Sequence, residues 1–516
     1  HDVCSSDDNN FASLRCLGVG EISTDGANSR AIDITSPRGG YAFVCIFFHI
    51  SLIHFVILPF CLFHAILLKT YNIQKQTPGF DTIALHGGYS PDPTINHGLG
   101  QGAPSGIPVH RTSPFIFKDT EHAANLFKLK ELGNIYSRLM NPTCNVLESR
   151  YAQLEGGHPL SGLSVSSGMT AIFYSIINLA SSGDNIVAAR AIYGGTFTLF
   201  NETLPQFGIQ VRFVDAEDPQ HFAAAADENT RAFFCETVSN PALEVTDLES
   251  IANLAHENGL PVIVDSTFST PYLCRPFEFG CDIVVSSMTK WVGGHGAGIA
   301  GIIVDKGGFP WGAGKHPIFD KADESYGGMR WGHDLPESLA PLSYILRART
   351  VPLRNTGGCL SPDNAWIITQ GIETLSLRME RHCENSMAVA LHLKDHPSVA
   401  WVRYPGLPED PQHEKAQKYL SGKGGGVVVF GIKSDDAKEA GKQFIDNLTL
   451  LLHVANVGDA RSLAIHPAST THSQLSEEQL NDAGIPPDMV RLSIGIESAK
   501  DIKADIDQAL AKAVQS

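Results

Sequence analysis

Between Thr82 and Asp305 the chain carries short runs of Val, Ile, Leu, Ala and Phe at 163–166 (LSVS), 185–189 (NIVAA), 209–214 (IQVRFV), 232–236 (AFFCE), 261–265 (PVIVD), 282–286 (DIVVS) and 300–304 (AGIIV). Runs this brief and this continuously apolar suit strands covered on both faces, the condition of a buried parallel sheet. Stretches with helical periodicity, 168–180, 195–206 and 247–258, lie between them. The alternation predicts an α/β fold with a large, mainly parallel seven-stranded sheet. Asp247 is placed to cap the helix over LESIANLAHENG, and Gly259 to close it.

Beyond the last of these runs the pattern changes. Residues 306–362 are rich in Gly and Pro with weak periodicity, and 363–395 is expected to be one long helical segment. From about 398, short strands (AWVRYP, GGGVVVFGI, MVRLSIGI) alternate with helices at 435–446 and 499–514, predicting a smaller C-terminal α+β domain. The expected organisation is an atypical leader over 1–75, an N-terminal arm over 76–150, a large domain over 151–362 and a small domain over 363–516. No repeat of 20 to 50 residues is visible.

The leader holds a run, 41–68, with 23 apolar residues out of 28 and no Asp, Glu, Lys or Arg. Length alone makes it a membrane-span candidate, since about 20 residues cross the hydrocarbon core. Pro59, His49, His54 and His64 interrupt it, and its basic flanks are balanced, so no orientation follows. The readings open are a leader foreign to the enzyme, a membrane tether, and a targeting or buried piece. A chain that opens on His1 is expected to be incomplete or processed there. No catalysis is expected from this region.

Charge and cysteine content exclude other classes. Lys and Arg number 38 against 55 Asp and Glu, a formal charge of −17 and the wrong sign for tracking a phosphate backbone, so nucleic acid is not an expected partner. Ten cysteines form no C-x-x-C pair or zinc-finger spacing, and His466 and His472 lack a third ligand at suitable spacing, so no metal is expected.

Chemistry concentrates in PVIVDSTFSTPYLCRPFEFGCDIVVSSMTKWVGGHGAG. Asp265 ends one strand and Lys290 follows another, 25 residues later. Open α/β sheets bind ligands at the carboxyl ends of their strands, so both side chains are expected to share one crevice. Most lysines after a strand are solvated ends. Here Ser287, Thr289 and a glycine-rich turn accompany the lysine. An amine to bond an aldehyde, a carboxylate for a pyridinium nitrogen and hydroxyls for a phosphate are the parts of a pyridoxal phosphate site. A second element, LSVSSGMTAIFYSIINL, runs from a strand into S-S-G-M-T and a helix; Ser167, Gly168 and Met169 would offer a phosphate their backbone N–H groups. Gly296, Gly298 and Gly301 spell G-x-G-x-x-G, but the run leads into a strand, the wrong context for a dinucleotide fingerprint.

SSMTK with Asp265 upstream, SSGMTA, AIYGGT, YSRLMNPT, ETVSNP and VRLSIGIE occur together and in order. This combination resembles the Cys/Met-metabolism family of pyridoxal phosphate enzymes, of fold type I, over roughly residues 80–514. The resemblance implies that Lys290 carries the cofactor, Asp265 meets its ring nitrogen and Tyr193 stacks on the ring. It implies Ser167, Gly168, Met169, Ser287 and Thr289 around the phosphate, and Lys290 and Tyr193 as catalytic groups. Tyr136 and Arg138 match the segment that reaches a neighbouring subunit's phosphate, which implies a dimer and commonly a homotetramer of two dimers. Arg491 matches the arginine that grips the substrate α-carboxylate, Asn240 a residue near that carboxylate and the ring, and Ser462 a further contact there.

Within the family, Gly195 stands where γ-lyase-like members carry Cys, and 306–362 forms a long insertion after the lysine loop. With TIALHGGY and NVGDARSLAIHPASTTH, these features most resemble members that convert O-acetylhomoserine and sulfide to homocysteine and acetate. O-acetylserine is a second candidate donor. Cystathionine γ-synthase or γ-lyase activity is the alternative within the family; a catalytically idle, membrane-anchored scaffold is the alternative outside it. The location expected is cytoplasmic, or membrane-tethered if 41–68 is a genuine span.

Overall fold

The computed structural model describes residues 78–94, 102–470 and 484–514. The apolar run 41–68, Cys4, Cys16, Cys45, Cys61 and His472 lie outside the described residues. Among the described residues no helix is long and apolar enough to cross a membrane.

The large sheet contains β1 (Gly162–Val165), β2 (Asn185–Ala189), β3 (Gln210–Val214), β4 (Thr230–Glu236), β5 (Val262–Asp265), β6 (Ile283–Ser287) and β7 (Gly301–Asp305). Its order is β1-β7-β6-β5-β4-β2-β3, parallel throughout except that β7 runs antiparallel to both neighbours. The seven expected runs are these seven strands, and β1, β2, β4, β6 and β7 have almost every residue buried, as continuous apolar runs require. β3 is the exception: it is an edge strand, and Gln210, Arg212 and their neighbours alternate toward solvent. Helices fill the crossovers. Asp247 accepts from the Ser250 N–H at the head of Leu248–Glu257, and Gly259, with φ of 66°, ends that excursion in the left-handed region.

Two expectations change on packing. The segment 363–395 is two helices, Pro362–Glu373 and Leu375–Lys394, broken at Thr374 (φ −115°, ψ 13°). The first lies against Phe80–His86 and Pro142–Leu154, burying Ile368 and Ile372 with Ile83, Leu147 and Tyr151 beside the large sheet. The second straddles two cores: Leu375 and Met379 join the large one, whereas Val389, Ala390 and Leu393 join the small one. This helix therefore joins the two cores, and later residues such as Tyr419, Leu420, Val427 and Met489 also pack into the large one. The insertion 306–362 is also better ordered than its Gly/Pro content suggests. Trp311 stacks on Phe319 at 4.8 Å and on Tyr344 at 5.1 Å, and the indole N–H of buried Trp331 donates to Asp323 at 2.9 Å.

The second sheet holds β8 (Val399–Arg403), β9 (Val427–Ile432), β10 (Leu452–His453), β11 (Leu463–Ile465) and β12 (Met489–Ser493), in the order β10-β11-β12-β9-β8. β10 and β11 were not expected; at two and three residues they are too short for a periodic signal. Ala437–Asn447 and Ala499–Ala513 cover one face of this sheet.

Gly301 explains the apparent dinucleotide motif. It opens β7, and no helix follows it. A Cβ there would lie 2.0 Å from the Ser167 carbonyl oxygen and 2.7 Å from the Gly168 nitrogen, so glycine permits β7 to touch the turn that starts helix Gly168–Ile177. We expect Gly301→Ala to cost roughly 1–3 kcal/mol, seen as a lower midpoint in thermal unfolding of the cofactor-free protein; an unchanged midpoint would contradict the close approach.

Candidate active site

The carboxyl ends of β4, β5 and β6 bring the chemically active residues together, as expected for an open α/β sheet. Asp265 ends β5 and accepts from the Thr267 N–H at 2.9 Å and its hydroxyl at 2.5 Å. The Thr267 hydroxyl oxygen in turn accepts from the Ser287 N–H at 2.9 Å, linking the Asp265 carboxylate to the end of β6. Burial pushes the Asp265 carboxyl up to about 6, against the pull of the two Thr267 donors.

Lys290 follows β6 on a tight turn. Its N–H donates to Ser287 and its carbonyl accepts from Gly294 at 2.7 Å. Arg378, buried to 5% exposure, secures the turn by donating to the carbonyls of Trp291 (2.5 Å), Val292 (3.1 Å) and Gly371 (2.5 Å). The Lys290 ammonium donates to the Asn456 side-chain oxygen. Burial first, and then the Arg491 charge, bring its pKa down to about 8, so a reactive neutral amine forms near neutral pH.

Arg491 comes from β12 of the second sheet and spans the cleft. Nη1 donates to Asn240 Oδ1 at 2.9 Å and Nη2 to the Asn456 carbonyl at 3.3 Å. Among the described residues no carboxylate pairs with it within ion-pair distance, although burial lowers its pKa to about 10. A buried guanidinium satisfied only by neutral oxygens suits an incoming carboxylate.

Tyr193 is 48% exposed and caps helix Gly194–Thr198; its N–H donates to Glu236 Oε1 at 2.7 Å. A Cβ at Gly195 would lie 2.6 Å from the Tyr193 ring, so glycine leaves room for the ring to fold back over the turn. Glu236 ends β4 and pairs in register with Asp265.

The Ser167 turn fits a phosphate. Ser167 Oγ accepts from the Thr170 N–H at 3.1 Å as the helix N-cap, and the first-turn N–H groups of Gly168 and Met169 have no partner within the helix. A Cβ on Gly168 would lie 2.6 Å from Ser287 Cβ, so that glycine brings the helix start against the residue expected to share the phosphate. A helix N-terminus, a low-pKa lysine and a strand-end carboxylate joined through Thr267 and Ser287 thus match the three ends of pyridoxal phosphate.

Other expected residues are placed differently. Thr289 Oγ1 bridges to Ala300, accepting from its N–H at 3.1 Å and donating to its carbonyl at 3.3 Å, so it clamps the glycine loop. Ser462 is not brought to the cleft: it is fully buried, its N–H and hydroxyl donate to Glu497 at 2.6 and 2.9 Å, and its oxygen accepts from Gly495. Tyr136 and Arg138 make no contact with Lys290, Asp265 or Arg491; Arg138 donates to the Arg354 carbonyl and lies 5.5 Å from the Tyr136 ring centre. His466 is a packing residue, held by Ser469 and the Pro487 carbonyl. Among the described residues no group of three His, Cys, Asp or Glu is arranged for a metal ion.

Three residues of the site escaped the sequence reading. Glu236 sits inside ETVSNP and could have been found as the strand end beside Asp265. Asn456 opens the NVGDARSLAIHPASTTH motif, which gives no sign that its side chain meets Lys290, and Arg378 has no local pattern; both contacts form only where distant chain segments meet.

Because Arg491 holds the Lys290 amine low, Arg491→Met is expected to raise the Lys290 pKa by up to about one unit. The pH dependence of aldehyde capture by the cofactor-free protein should therefore shift to higher pH; a midpoint that stays put or falls would contradict the coupling.

A family model described as Cys/Met metabolism PLP-dependent enzyme matches residues 81–511. O-acetyl-L-homoserine sulfhydrylase 1 of Thermus thermophilus is 51% identical over 434 residues, 84% of this chain and 100% of that protein. Homocysteine/cysteine synthase of Saccharomyces cerevisiae is 43% identical over 441 residues, 83% of this chain and 97% of that protein. Among solved structures, a candidate O-acetylhomoserine (thiol)-lyase of Campylobacter jejuni, crystallised with a pyridoxyl-lysine monophosphate, superposes with a TM-score of 0.78 at 40% identity, covering 84% of this chain and all of that one. The match over the whole of both sheets, on a site whose lysine, carboxylate and helix start fit the cofactor, establishes that the chain belongs to the Cys/Met-metabolism family of pyridoxal phosphate-dependent enzymes.

Proposed function

We propose that this enzyme carries out γ-replacement on O-acetyl-L-homoserine, taking up hydrosulfide and releasing acetate to give L-homocysteine. The observation that carries the reading is the Lys290, Asn456, Arg491, Asn240 group, in which a buried amine and a guanidinium that pairs with no carboxylate among the described residues share the Asn456 residue. The names of the relatives from Thermus thermophilus and Saccharomyces cerevisiae support the same donor and product.

In this reading Lys290, Asp265, Tyr193, Ser167, Gly168, Met169 and Ser287 hold the cofactor, and Thr289 braces the glycine loop beside Lys290 through Ala300. When bound, pyridoxal phosphate draws electron density away from the substrate α-carbon. Arg491 binds the substrate α-carboxylate, and Asn240 and the Asn456 carbonyl hold the guanidinium plane for that task. The Lys290 amine, with a pKa near 8, takes the proton from Cα and returns a proton in the closing steps. Asn456 Oδ1 anchors the amine, keeping it on the side of the cleft where Arg491 holds the substrate. Tyr193, half exposed at the cleft edge, can protonate the departing acetate. Arg138, held against Arg354 and Gly357, and Tyr136 beside it serve the phosphate of a second copy, in a homotetramer of two such dimers. The enzyme acts in the cytoplasm.

Protein spanning residues 76–516, loaded with cofactor and mixed with O-acetylhomoserine and sulfide, should release acetate and homocysteine in equal amounts. Cystathionine formed from cysteine, with no product from sulfide, would assign the synthase reaction instead. Lys290→Ala should abolish turnover and the visible absorbance of the lysine-bound cofactor; a variant that keeps both removes Lys290 from the mechanism. Arg491→Ala should weaken amino-acid binding by about 2–5 kcal/mol, read as a raised KM, and an unchanged KM would count against the carboxylate role.

A further inference from the structure

Glu236 and Asp265 are the last residues of adjacent parallel strands and are direct register partners. Neighbouring strands lie about 4.8 Å apart and paired residues point to the same side, so the two carboxyl groups share one edge of the sheet. Glu236 is only 5% exposed, and among the described residues no Lys, Arg or His pairs with it. Its acceptor duty is to the Tyr193 N–H at 2.7 Å, while its own carbonyl accepts from the Thr246 hydroxyl at 2.6 Å. Asp265 is better provided, with two donors from Thr267.

Two carboxyl groups on one sheet edge, Glu236 buried and Asp265 partly buried, repel each other when both are charged, and a proton settles on the one with fewer donors. We propose that Glu236 is a positioning residue that works as a neutral carboxylic acid: it holds the proton of the Glu236–Asp265 pair, leaves Asp265 as the anion, and anchors Tyr193 through its backbone. Burial, reinforced by the Asp265 charge, holds the Glu236 carboxyl well above the usual range, with only the Tyr193 N–H opposing. One side chain thereby ties Asp265, which would meet the ring nitrogen, to Tyr193, which would stack on the ring. This rests on the cofactor placement proposed above, not on the identity of the donor or the sulfur acceptor.

Glu236→Gln preserves the shape, the neutrality and the acceptor for Tyr193, whereas Glu236→Ala removes the anchor. In cofactor titrations, Glu236→Gln should bind pyridoxal phosphate within about twofold of the parent with an unchanged pH dependence, and Glu236→Ala roughly tenfold or more weakly. Buried Glu155 and Asp305, raised to about 8 and about 7, contribute protonated carboxyl to parent and variant alike, so the reading is the infrared difference, cofactor-bound parent minus Glu236→Gln in heavy water at neutral pH, which should show a protonated-carboxyl stretch. The proposal is overturned if that band is absent, if Glu236→Gln loses affinity as Glu236→Ala does, or if Glu236→Ala binds as tightly as the parent. Neither measurement uses an amino-acid substrate, so a wrong donor assignment would leave both results intact.

Discussion

The turn after β6 must hold Lys290 still, because every residue that answers to its amine arrives from elsewhere in the chain. Arg378 provides that restraint by placing a buried guanidinium among the carbonyls of Trp291, Val292 and Gly371. Burying the charge is costly, and charge-assisted bonds to three carbonyl oxygens offset it. Close approach is part of the arrangement: a Cβ at Gly371 would meet the Val292 and Gly293 carbonyls at 2.5 Å, and one at Gly294 would overlap the Arg378 guanidinium. The helix pair 362–394 thus acts as a brace, and its break at Thr374 lets the two halves face different cores.

On this braced turn, electrostatics follows from burial. The same low-dielectric edge of the sheet lowers the Lys290 and Arg491 values and raises those of Asp265 and Glu236. Arg491 comes from the small sheet, whereas Lys290, Asp265 and Glu236 lie at the strand ends of the large one. An amino acid carrying a carboxylate and a cofactor carrying a pyridine nitrogen fall naturally between them. The glycines at 168, 195 and 301 each mark a place where backbone or ring must come closer than a side chain allows.

Much of this was legible along the chain because the local signals were strong. Strands buried on both faces need continuous apolar residues, so all seven of the large sheet could be placed within a few residues. Lys290 and Asp265 could be paired because strand ends of a parallel sheet share one edge. Ser462 illustrates the limit: its motif neighbours point to the cleft, yet its hydroxyl is taken by Glu497 and Gly495. The partners of Arg378 and Asn456 carry no local mark, since they lie 87 and 166 residues away. The insertion 306–362 shows little pattern along the chain because its order comes from aromatic stacking among Trp311, Phe319 and Tyr344, which has no period.

The sequence by itself determined the sheet, its helical crossovers, the family, and the lysine and carboxylate at neighbouring strand ends, all of which depend on local propensity and on short ordered motifs. Only the tertiary structure decided which polar groups meet: Glu236 on the Tyr193 N–H, Asn456 on Lys290, Asn240 on Arg491, and Ser462 on Glu497 and Gly495. The physical reason is that hydrogen bonds and charge pairs act over a few ångströms in space, between segments whose separation along the chain carries no record of the contact.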